Sequence, residues 1–344
     1  MASCQSLPKQ TSLQGAAVRA LVTGGGGFLG GLIVKGLLEG GDEVCSFSRG
    51  SYPHLKRMGA ETIVGDIRDG SAVEHACCGV DVVFHTAAIA GIWGPWQQFF
   101  AVNVVGTENV LAACQKQGVG RLVYTSSPSV TFDGGDQINV DESVGYASKW
   151  LCHYPHTKAI AEQRVLAANQ KEGLLTCALR PHLIWGPGDP HLIPRIIERA
   201  RRGQLRRIGD GTNLIDTVFV ENAAEAHIQV SKRLTRESPV AGCAYFISQG
   251  EPVNCWDWID QILELVDLPP LERQMSFRLA WSIGAWMERT HQVFRIGSEP
   301  RMTRFLASQL AHSHYFNLDR ARTDFGYAPR VSLEEGMRRL AASF

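Results

Sequence analysis

Apolar and amphipathic runs alternate along the first half of the chain. The apolar segment 18–22 predicts a buried strand, and apolar positions at helical spacing over 28–39 predict an amphipathic helix. The same pattern continues, with further strands predicted over 43–47, 61–64, 81–84, 121–125 and 174–179, and the longest helices over 97–117 and 154–171. Strands that alternate with helices predict βαβ units and a doubly wound parallel sheet, the Rossmann-type arrangement of the α/β class.

The alternation loosens beyond Asp189. There the sequence predicts strands over 214–220 and 244–247, and helices over 192–202, 222–234, 256–266 and 276–288. In the first half, a loop is predicted over Gly134 to Gly145. We therefore expect a flexible N-terminal extension (1–17), a nucleotide-binding domain (18–189) that late strands from 214–248 rejoin, and a smaller substrate-binding lobe (190–344).

Composition narrows the range of functions. The 344 residues are 44% hydrophobic, enough for a large core, and 34 basic and 34 acidic residues balance to a net charge of +0, which favours neither nucleic acid nor an anionic membrane surface. Nine cysteines show no metal spacing and suit reduced thiols, so we expect a cytoplasmic protein without a metal site. The polar segment 1–15 does not resemble a signal peptide, and the sequence predicts no membrane span.

A glycine-rich turn joins the first strand to the first helix. Gly24, Gly27 and Gly30 are spaced as G-x-x-G-x-x-G. Glycines let the backbone turn sharply and approach a pyrophosphate, which would then lie at the N-terminus of the following helix. The strand, turn and helix context predicts a dinucleotide-binding site.

The end of the second predicted strand bears on the choice of cofactor. NAD-binding folds place an acidic residue there to hold the ribose 2′-hydroxyl, whereas a nearby arginine suits a 2′-phosphate. This chain has Ser48 and Arg49 at that point. The sequence therefore predicts a preference for NADPH, with NADH as the alternative.

Three polar residues near later strand ends have more than one interpretation. Asp66 is placed either to accept from an adenine amino group or to cap the helix that starts near Ser71. His85 is expected to be structural. Asn103 lies within a predicted helix, where an unbonded amide is costly, so it is expected to tie two segments together.

Tyr154 and Lys158 are four residues apart, so one helix face carries both. Pro155 favours the first helical position and would leave Tyr154 at the cap. The nearby ammonium group and the helix N-terminus are expected to lower the phenol pKa from its usual value of about 10. Ser127 follows a neighbouring strand, where its hydroxyl would hold a substrate oxygen while Tyr154 transfers a proton and a nicotinamide transfers hydride.

These segments together resemble the extended short-chain dehydrogenases/reductases. Within that family the chain is similar to the 3β-hydroxysteroid dehydrogenase group, and more closely to the OleD-type reductases of bacterial olefin biosynthesis. The segments that carry the resemblance are T-G-G-G-G-F-L-G (23–30), D-I (66–67), H-T-A-A (85–88), N-V-V-G-T (103–107), R-L-V-Y-T-S-S-P-S-V (121–130), Y-P-H-T-K (154–158), R-P-H-L-I-W-G-P-G-D (180–189), A-Y-F-I-S-Q-G-E-P (244–252) and M-T-R-F-L-A (302–307).

The resemblance implies reduction of a lipid-like 2-alkyl-3-keto acid to the 3-hydroxy acid with NADPH. It implies that Ser127, Tyr154 and Lys158 are catalytic and that Asp66 and Ile67 meet the adenine. The full set of expected cofactor contacts is Gly24, Gly27, Phe28, Leu29, Gly30, Ser48, Arg49, Asp66, Ile67, Thr86, Ala87, Ala88, Asn103, Tyr154, Lys158, Pro181 and His182.

Two other functions stay open at this point: an NAD-dependent 3β-hydroxysteroid or sterol-4α-carboxylate 3-dehydrogenase, and a non-catalytic NADP(H) sensor. Candidates for the wall of an apolar substrate cavity are Trp93, Trp96, Trp185 and, in the smaller lobe, Phe277, Trp281 and Trp286. Candidates for a carboxylate contact are His156 and His182. By analogy with related folds, the helices over 97–117 and 154–171 would form a homodimer interface. Association with enzymes of the same pathway is compatible with the resemblance.

Overall fold

The computed structural model describes residues 17–344. The predicted N-terminal extension, except for its last residue, lies outside the described residues. Fifteen strands occur in the described part: β1 (Arg19–Thr23), β2 (Glu43–Ser48), β3 (Glu61–Val64), β4 (Val82–His85), β5 (Arg121–Thr125), β6 (Gln137–Val140), β7 (Leu175–Pro181), β8 (Ile184–Trp185), β9 (Arg207–Ile208), β10 (Leu214–Ile215), β11 (Val218–Phe219), β12 (Ala244–Ile247), β13 (Val253–Asn254), β14 (Gln274–Met275) and β15 (His314–Phe316).

Thirteen α-helices occur in the same range. They are α1 (Phe28–Glu39), α2 (Pro53–Arg57), α3 (Gly70–Ala76), α4 (Trp96–Phe99), α5 (Gly106–Gln117), α6 (His153–Ala167), α7 (Leu192–Arg201), α8 (Val220–Arg233), α9 (Cys255–Glu264), α10 (Phe277–Val293), α11 (Arg304–Ala311), α12 (Asp319–Phe325) and α13 (Leu333–Ala341).

Seven strands form one parallel sheet in the order β12-β7-β5-β4-β1-β2-β3. The chain moves outward from β1 in one direction, returns, and continues from β4 in the other. Helices cover both faces, α1 and α8 on one and α3, α5 and α6 on the other. The predicted doubly wound α/β sheet is confirmed. Its order reverses between β1 and β4, where open α/β sheets bind their ligands.

A third apolar core lies in the second half of the chain. It is built from α7, α9, α10, α11 and α13, around the buried side chains of Trp256 and Trp258. Trp185 is also fully buried there against Phe219, so it belongs to the core and the prediction that it walls a cavity is wrong. The strand β12 joins the edge of the main sheet, as predicted for a late strand.

Two predicted elements differ from the structure. The loop predicted over 134–145 contains β6, which pairs with β15 in a small four-stranded sheet. The strand predicted over 214–220 is divided into β10 and β11, which belong to different sheets. Both differences arise from partners that lie far away in sequence. Among residues 17–344, no helix combines the length and the apolar character needed to cross a membrane.

Candidate active site

A cavity of about 810 Å³ lies at the carboxyl ends of the strands of the main sheet, across the point where the strand order reverses. Its volume falls in the range of cofactor and ligand sites. Most of the predicted site residues line it: Gly24, Gly27, Phe28, Leu29, Gly30, Ser48, Arg49, Asp66, Ile67, Thr86, Ala87, Ala88, Ser127, Tyr154, Lys158 and Pro181.

The turn between β1 and α1 can be formed only by glycine at critical positions. Gly24 has a φ of +73° and donates its N–H to the carbonyl of Phe47 at 2.8 Å. A Cβ on Gly30 would overlap the carbonyl oxygen of Gly24. The helix α1 starts after Gly27 with no side-chain cap and no acidic residue in its first turn. Its N-terminal N–H groups are therefore suited to hold an anion such as a pyrophosphate.

The ends of β2 and β3 form one wall of this cavity. Ser48 uses its hydroxyl to accept from the N–H of Gly26 at 3.2 Å. Asp66 pairs with Arg68 at 2.7 Å, and this hydrogen-bonded guanidinium keeps the pKa of the Asp66 carboxyl below its usual value. Asp69 caps α3, because it accepts from two N–H groups at the start of that helix. The alternative in which Asp66 caps this helix is therefore wrong.

The end of β4 is fixed by threonines. Thr86 donates its hydroxyl to the carbonyl of Thr23 at 2.7 Å. The Nδ1 and Nε2 atoms of His85 lie 2.7 Å and 2.9 Å from the hydroxyls of Thr23 and Thr107. Burial lowers the pKa of His85 to about 3, so the ring is neutral at neutral pH. His85 is structural, as predicted.

Asn103 does not line the cavity. It lies in a π-helical segment, Phe100–Val105, between α4 and α5, which the sequence predicted as one continuous α-helix. Its side chain accepts from the N–H of Ile89 at 2.8 Å and donates to the carbonyl of Ile89 and the hydroxyl of Thr157. Asn103 therefore ties the loop after β4 to α6, as expected. Its amide already makes three hydrogen bonds, and the predicted direct cofactor contact stays a prediction.

Tyr154 and Lys158 lie on one face of α6, but Tyr154 is not the cap. The helix begins after Cys152, so Tyr154 is its second residue and Pro155 its third. Proline fits this position because the N–H groups of the first turn have no acceptor within the helix.

Lys158 is 2% exposed, and its ammonium group donates to the carbonyl of Thr125 at 2.5 Å. The same group lies 4.1 Å from the centre of the Tyr124 ring. Burial lowers the pKa of Lys158 to about 7, against an opposing effect of the Glu162 carboxylate. A smaller fraction of Lys158 is therefore protonated at neutral pH than of an exposed lysine.

Tyr154 has a pKa that differs from the sequence-based expectation. Burial raises the pKa of its phenol to about 12, and a hydrogen bond with Ser127 lowers it by less. The predicted lowering by Lys158 is not seen, because burial dominates and the lowering that occurs comes from Ser127. Without a bound cofactor, Tyr154 is therefore protonated at neutral pH, the form that donates a proton.

Ser127 follows β5 and caps a short 3-10 turn over 128–131. Its hydroxyl lies 2.8 Å from that of Ser129 and faces the same cavity as Tyr154. The neighbouring Ser126 also lines the cavity, and its buried hydroxyl has no hydrogen-bond partner within the described residues. The three side chains of Ser127, Tyr154 and Lys158 therefore meet at one place, as the resemblance implied.

His182 lies outside this cavity. Its Nε2 atom is 2.7 Å from Nδ1 of His314, and burial with this second ring lowers the pKa of His182 well below its usual value. The side chain of His182 is thus directed at His314, and its predicted contacts with a cofactor or a carboxylate stay predictions. Pro181, one residue earlier, does line the cavity.

The sequence did not single out several other residues that line the cavity, namely Tyr52, Leu183, Ile184 and the segment Asp189–Leu192. Asp189 had a readable signal, since it accepts from three N–H groups at the start of α7 and the sequence places an acid just before that helix. Within residues 17–344, no group of three or more His, Cys, Asp or Glu side chains is placed to hold a metal ion.

Comparison with known proteins gives a consistent result. Residues 21–279 match the model of the 3-beta hydroxysteroid dehydrogenase/isomerase family. A protein of Stenotrophomonas maltophilia named 2-alkyl-3-oxoalkanoate reductase is 50% identical over 329 residues, 95% of this chain and 99% of the relative. A Shewanella oneidensis protein of the same name is 45% identical over 97% of this chain and 89% of the relative.

A solved structure shares the fold along nearly the whole chain. It is that of MoeE5 in complex with UDP-glucose and NAD, which is 26% identical and has a TM-score of 0.71. The alignment covers 94% of this chain and 98% of the MoeE5 chain.

Proposed function

The chain belongs to the 3-beta hydroxysteroid dehydrogenase/isomerase family and is an oxidoreductase acting on a secondary alcohol or ketone, and from that premise we propose that it reduces a 2-alkyl-3-keto acid to the 3-hydroxy acid with NADPH. The observation that carries the proposal is the meeting of Ser127, a protonated Tyr154 and Lys158 at one end of a cavity with a dinucleotide-binding turn at the other. The names of the two bacterial relatives supply the substrate class.

The cavity residues fit a nicotinamide dinucleotide. The uncapped start of α1 and the glycines at 24 and 30 form a cradle that a Cβ would fill, which suits a pyrophosphate. When bound, the dinucleotide supplies the hydride. Structural neighbours such as MoeE5 were solved with NAD, which supports this class of cofactor.

The protein's own part in the reduction is proton supply and positioning. The hydroxyls of Ser127 and Tyr154 hydrogen-bond the ketone oxygen and polarise the carbonyl. With hydride supplied by a bound dinucleotide, Tyr154 would transfer its phenolic proton to the carbonyl oxygen, which would become the hydroxyl of the secondary alcohol. Lys158, held by the carbonyl of Thr125, then stabilises the phenolate that remains until a solvent proton replaces the lost one.

The preference for NADPH rests on the end of β2. Arg49 lines the cavity there, and the strand has no acidic residue at its carboxyl end. Asp66, on the neighbouring strand end, is already paired with Arg68. A 2′-phosphate of NADPH would thus lie near the Arg49 guanidinium group. The free 2′-hydroxyl of NADH would find no unpaired carboxylate to accept its hydrogen bond.

The test is to measure turnover with two substrate and cofactor pairs under matched conditions. Purified protein with NADPH and a long-chain 2-alkyl-3-keto acid should oxidise NADPH. A sterol alcohol with NAD⁺ should give little turnover. If the sterol is oxidised and the keto acid is not reduced, the dehydrogenase alternative replaces this proposal. If NADPH binds tightly and neither substrate reacts, the sensor alternative does.

We also propose a homodimer in which α5 and α6 of two copies form the contact. These helices lie side by side on one face of the sheet. Sedimentation analysis that finds only monomer at micromolar concentration would contradict this arrangement.

A further inference from the structure

A second cavity, of about 740 Å³, lies on the other side of the first turn of α6. Tyr154 faces the active-site cavity, whereas His153 and His156, on the opposite side of that turn, line the second one. The loop after β4 is shared in the same way, since its residues 88–90 line the first cavity and 92–95 the second. The two cavities are therefore neighbours that share walls, and each has its own lining.

The inner wall of the second cavity is aromatic. His156 is stacked on Trp150, with ring centres 5.0 Å apart, and its other neighbour is Trp96 at 4.9 Å. Trp93 meets His291 edge-on at 5.9 Å. Burial lowers the pKa values of His153 and His156, so these rings are mainly neutral at neutral pH. Such a wall favours an apolar chain over water.

The lining also carries cationic side chains that have no counter-charge. Lys149 and Arg295 are exposed and line the cavity, and among residues 17–344 neither forms an ion pair. The lining contains one carboxylate, Glu288, which is buried and accepts from the backbone N–H and the side chain of Arg304 at 2.6 Å and 2.7 Å. That carboxylate is already neutralised, so the exposed part of the cavity is positive.

The backbone at Arg295 is also unusual. Its φ of +52° lies in the left-handed region, which glycine most often occupies after a helix. The turn is closed by the N–H of Ile296, which donates to the carbonyl of His291 at 2.8 Å. This turn follows the end of α10, and both Arg295 and Ile296 line the cavity.

We propose that this second cavity binds a long-chain carboxylate, with the carboxylate held at the exposed side by Lys149 and Arg295 and the alkyl chain lying against Trp93 and Trp150. Guanidinium and ammonium groups are the usual partners of carboxylates, and the aromatic wall supplies the apolar surface. The site for this amphiphilic acid is separate from the active-site cavity, whichever ketone is reduced there.

The test is calorimetric titration of the full-length protein, saturated with NADPH, with sodium tetradecanoate below its aggregation concentration. The neutral analogue 1-tetradecanol is titrated in parallel. Arg295→Gln and Lys149→Gln should each weaken tetradecanoate binding about tenfold, the size expected for one hydrogen bond to a charged group. Both should leave 1-tetradecanol binding unchanged. Arg301→Gln is the matched control, because Arg301 is exposed, follows the same loop and does not line the cavity.

A second variant tests the apolar wall. Trp93→Ala should weaken binding of tetradecanoate more than binding of octanoate, because the longer chain covers more of the ring surface. Equal affinity of tetradecanoate for the wild type and both charge variants would overturn the proposal. So would displacement of NADPH by tetradecanoate, because it would place the acid in the active-site cavity.

Discussion

The two cavities share the first turn of α6, but their walls differ in kind. The active-site cavity includes a wall that is built on backbone, namely the glycine turn and the ends of five parallel strands. The second cavity is bounded by large side chains from a loop, a helix start and the end of α10. A backbone wall is fixed by the fold and leaves no space for added atoms. A side-chain wall changes shape with each substitution and leaves the sheet untouched.

Removal of one oxygen atom from the active-site cavity should have the largest effect. Tyr154→Phe removes the proton donor, so kcat should fall by about 10² to 10⁴, the usual contribution of general acid catalysis. The rate of NADPH oxidation at saturating keto acid measures kcat. The affinity for NADPH should stay close to that of the wild-type protein. Tetradecanoate binding should also be unchanged, because Tyr154 faces only the first cavity. A Phe variant with near-normal kcat would exclude Tyr154 as the donor.

The burial of Lys158 should make stability depend on pH. Its pKa is about 7 in the folded protein and about 10.5 when exposed. Below pH 7 the lysine is charged in both states, so burial of the charge lowers the free energy of unfolding by its full amount. Above pH 7 the lysine of the folded protein loses its proton first, so this destabilisation declines until about pH 10. The Lys158→Met variant has no charge at this position and is not destabilised in this way at any pH.

We therefore expect the stability advantage of Lys158→Met over the wild type to shrink by about 2 kcal/mol between pH 7 and pH 9, at 1.36 kcal/mol per pH unit. Urea unfolding of the two cofactor-free proteins measures the difference, and other titrating groups cancel between them. An advantage that stays constant between pH 7 and pH 9 would mean that the lysine stays charged in the fold.

The glycine turn should be intolerant of even one methyl group. In Gly30→Ala the new Cβ overlaps the Gly24 carbonyl oxygen and lies 2.9 Å from its carbonyl carbon, and the cost should be about 1 to 3 kcal/mol of stability, with weaker NADPH binding. Gly31→Ala is the matched control, since its Cβ would meet the nearest backbone atom at an ordinary 3.5 Å. Thermal unfolding of both variants gives the comparison, and equal effects would show that the close approach is unimportant.

The smallest effect is expected at the exposed edge of the active-site cavity. Arg49→Ala should weaken NADPH binding about tenfold, because one charge-assisted contact to the 2′-phosphate is lost. NADH binding should be unaffected. Quenching of tryptophan fluorescence measures both affinities, and an equal loss for the two cofactors would remove Arg49 from the choice between them.

The sequence predicts those parts of the molecule whose signals are local. The strand, glycine turn and helix over residues 18–39 were predicted to within a residue, because the glycine spacing and the apolar pattern lie in one short segment. The spacing of Tyr154 and Lys158 placed both on one helix face for the same reason. The strand β6 was missed because its pairing partner, β15, lies far along the chain.

The second cavity could not be predicted in this way. Its lining comes from segments near residues 92–99, 148–156 and 288–304, which have no common periodicity. The raised pKa of Tyr154 was missed because burial depends on the whole fold, whereas the effect of Lys158 is visible in the local spacing. The pairing of His182 with His314 likewise joins residues that no local pattern relates.

The π-helical segment Phe100–Val105 has a consequence for how the chain tolerates insertions and deletions. A π turn holds one residue more than the α turn it replaces. Deletion of Ala101 would therefore restore regular α-helical hydrogen bonding, and it would be favourable if the stability of the helix alone were considered. The same deletion would rotate Asn103 by about 100°, the angle per residue of an α-helix, and separate its amide from Ile89 and Thr157. The extra residue keeps the loop after β4 in register with α6, so here the less regular helix is the one compatible with the active-site cavity.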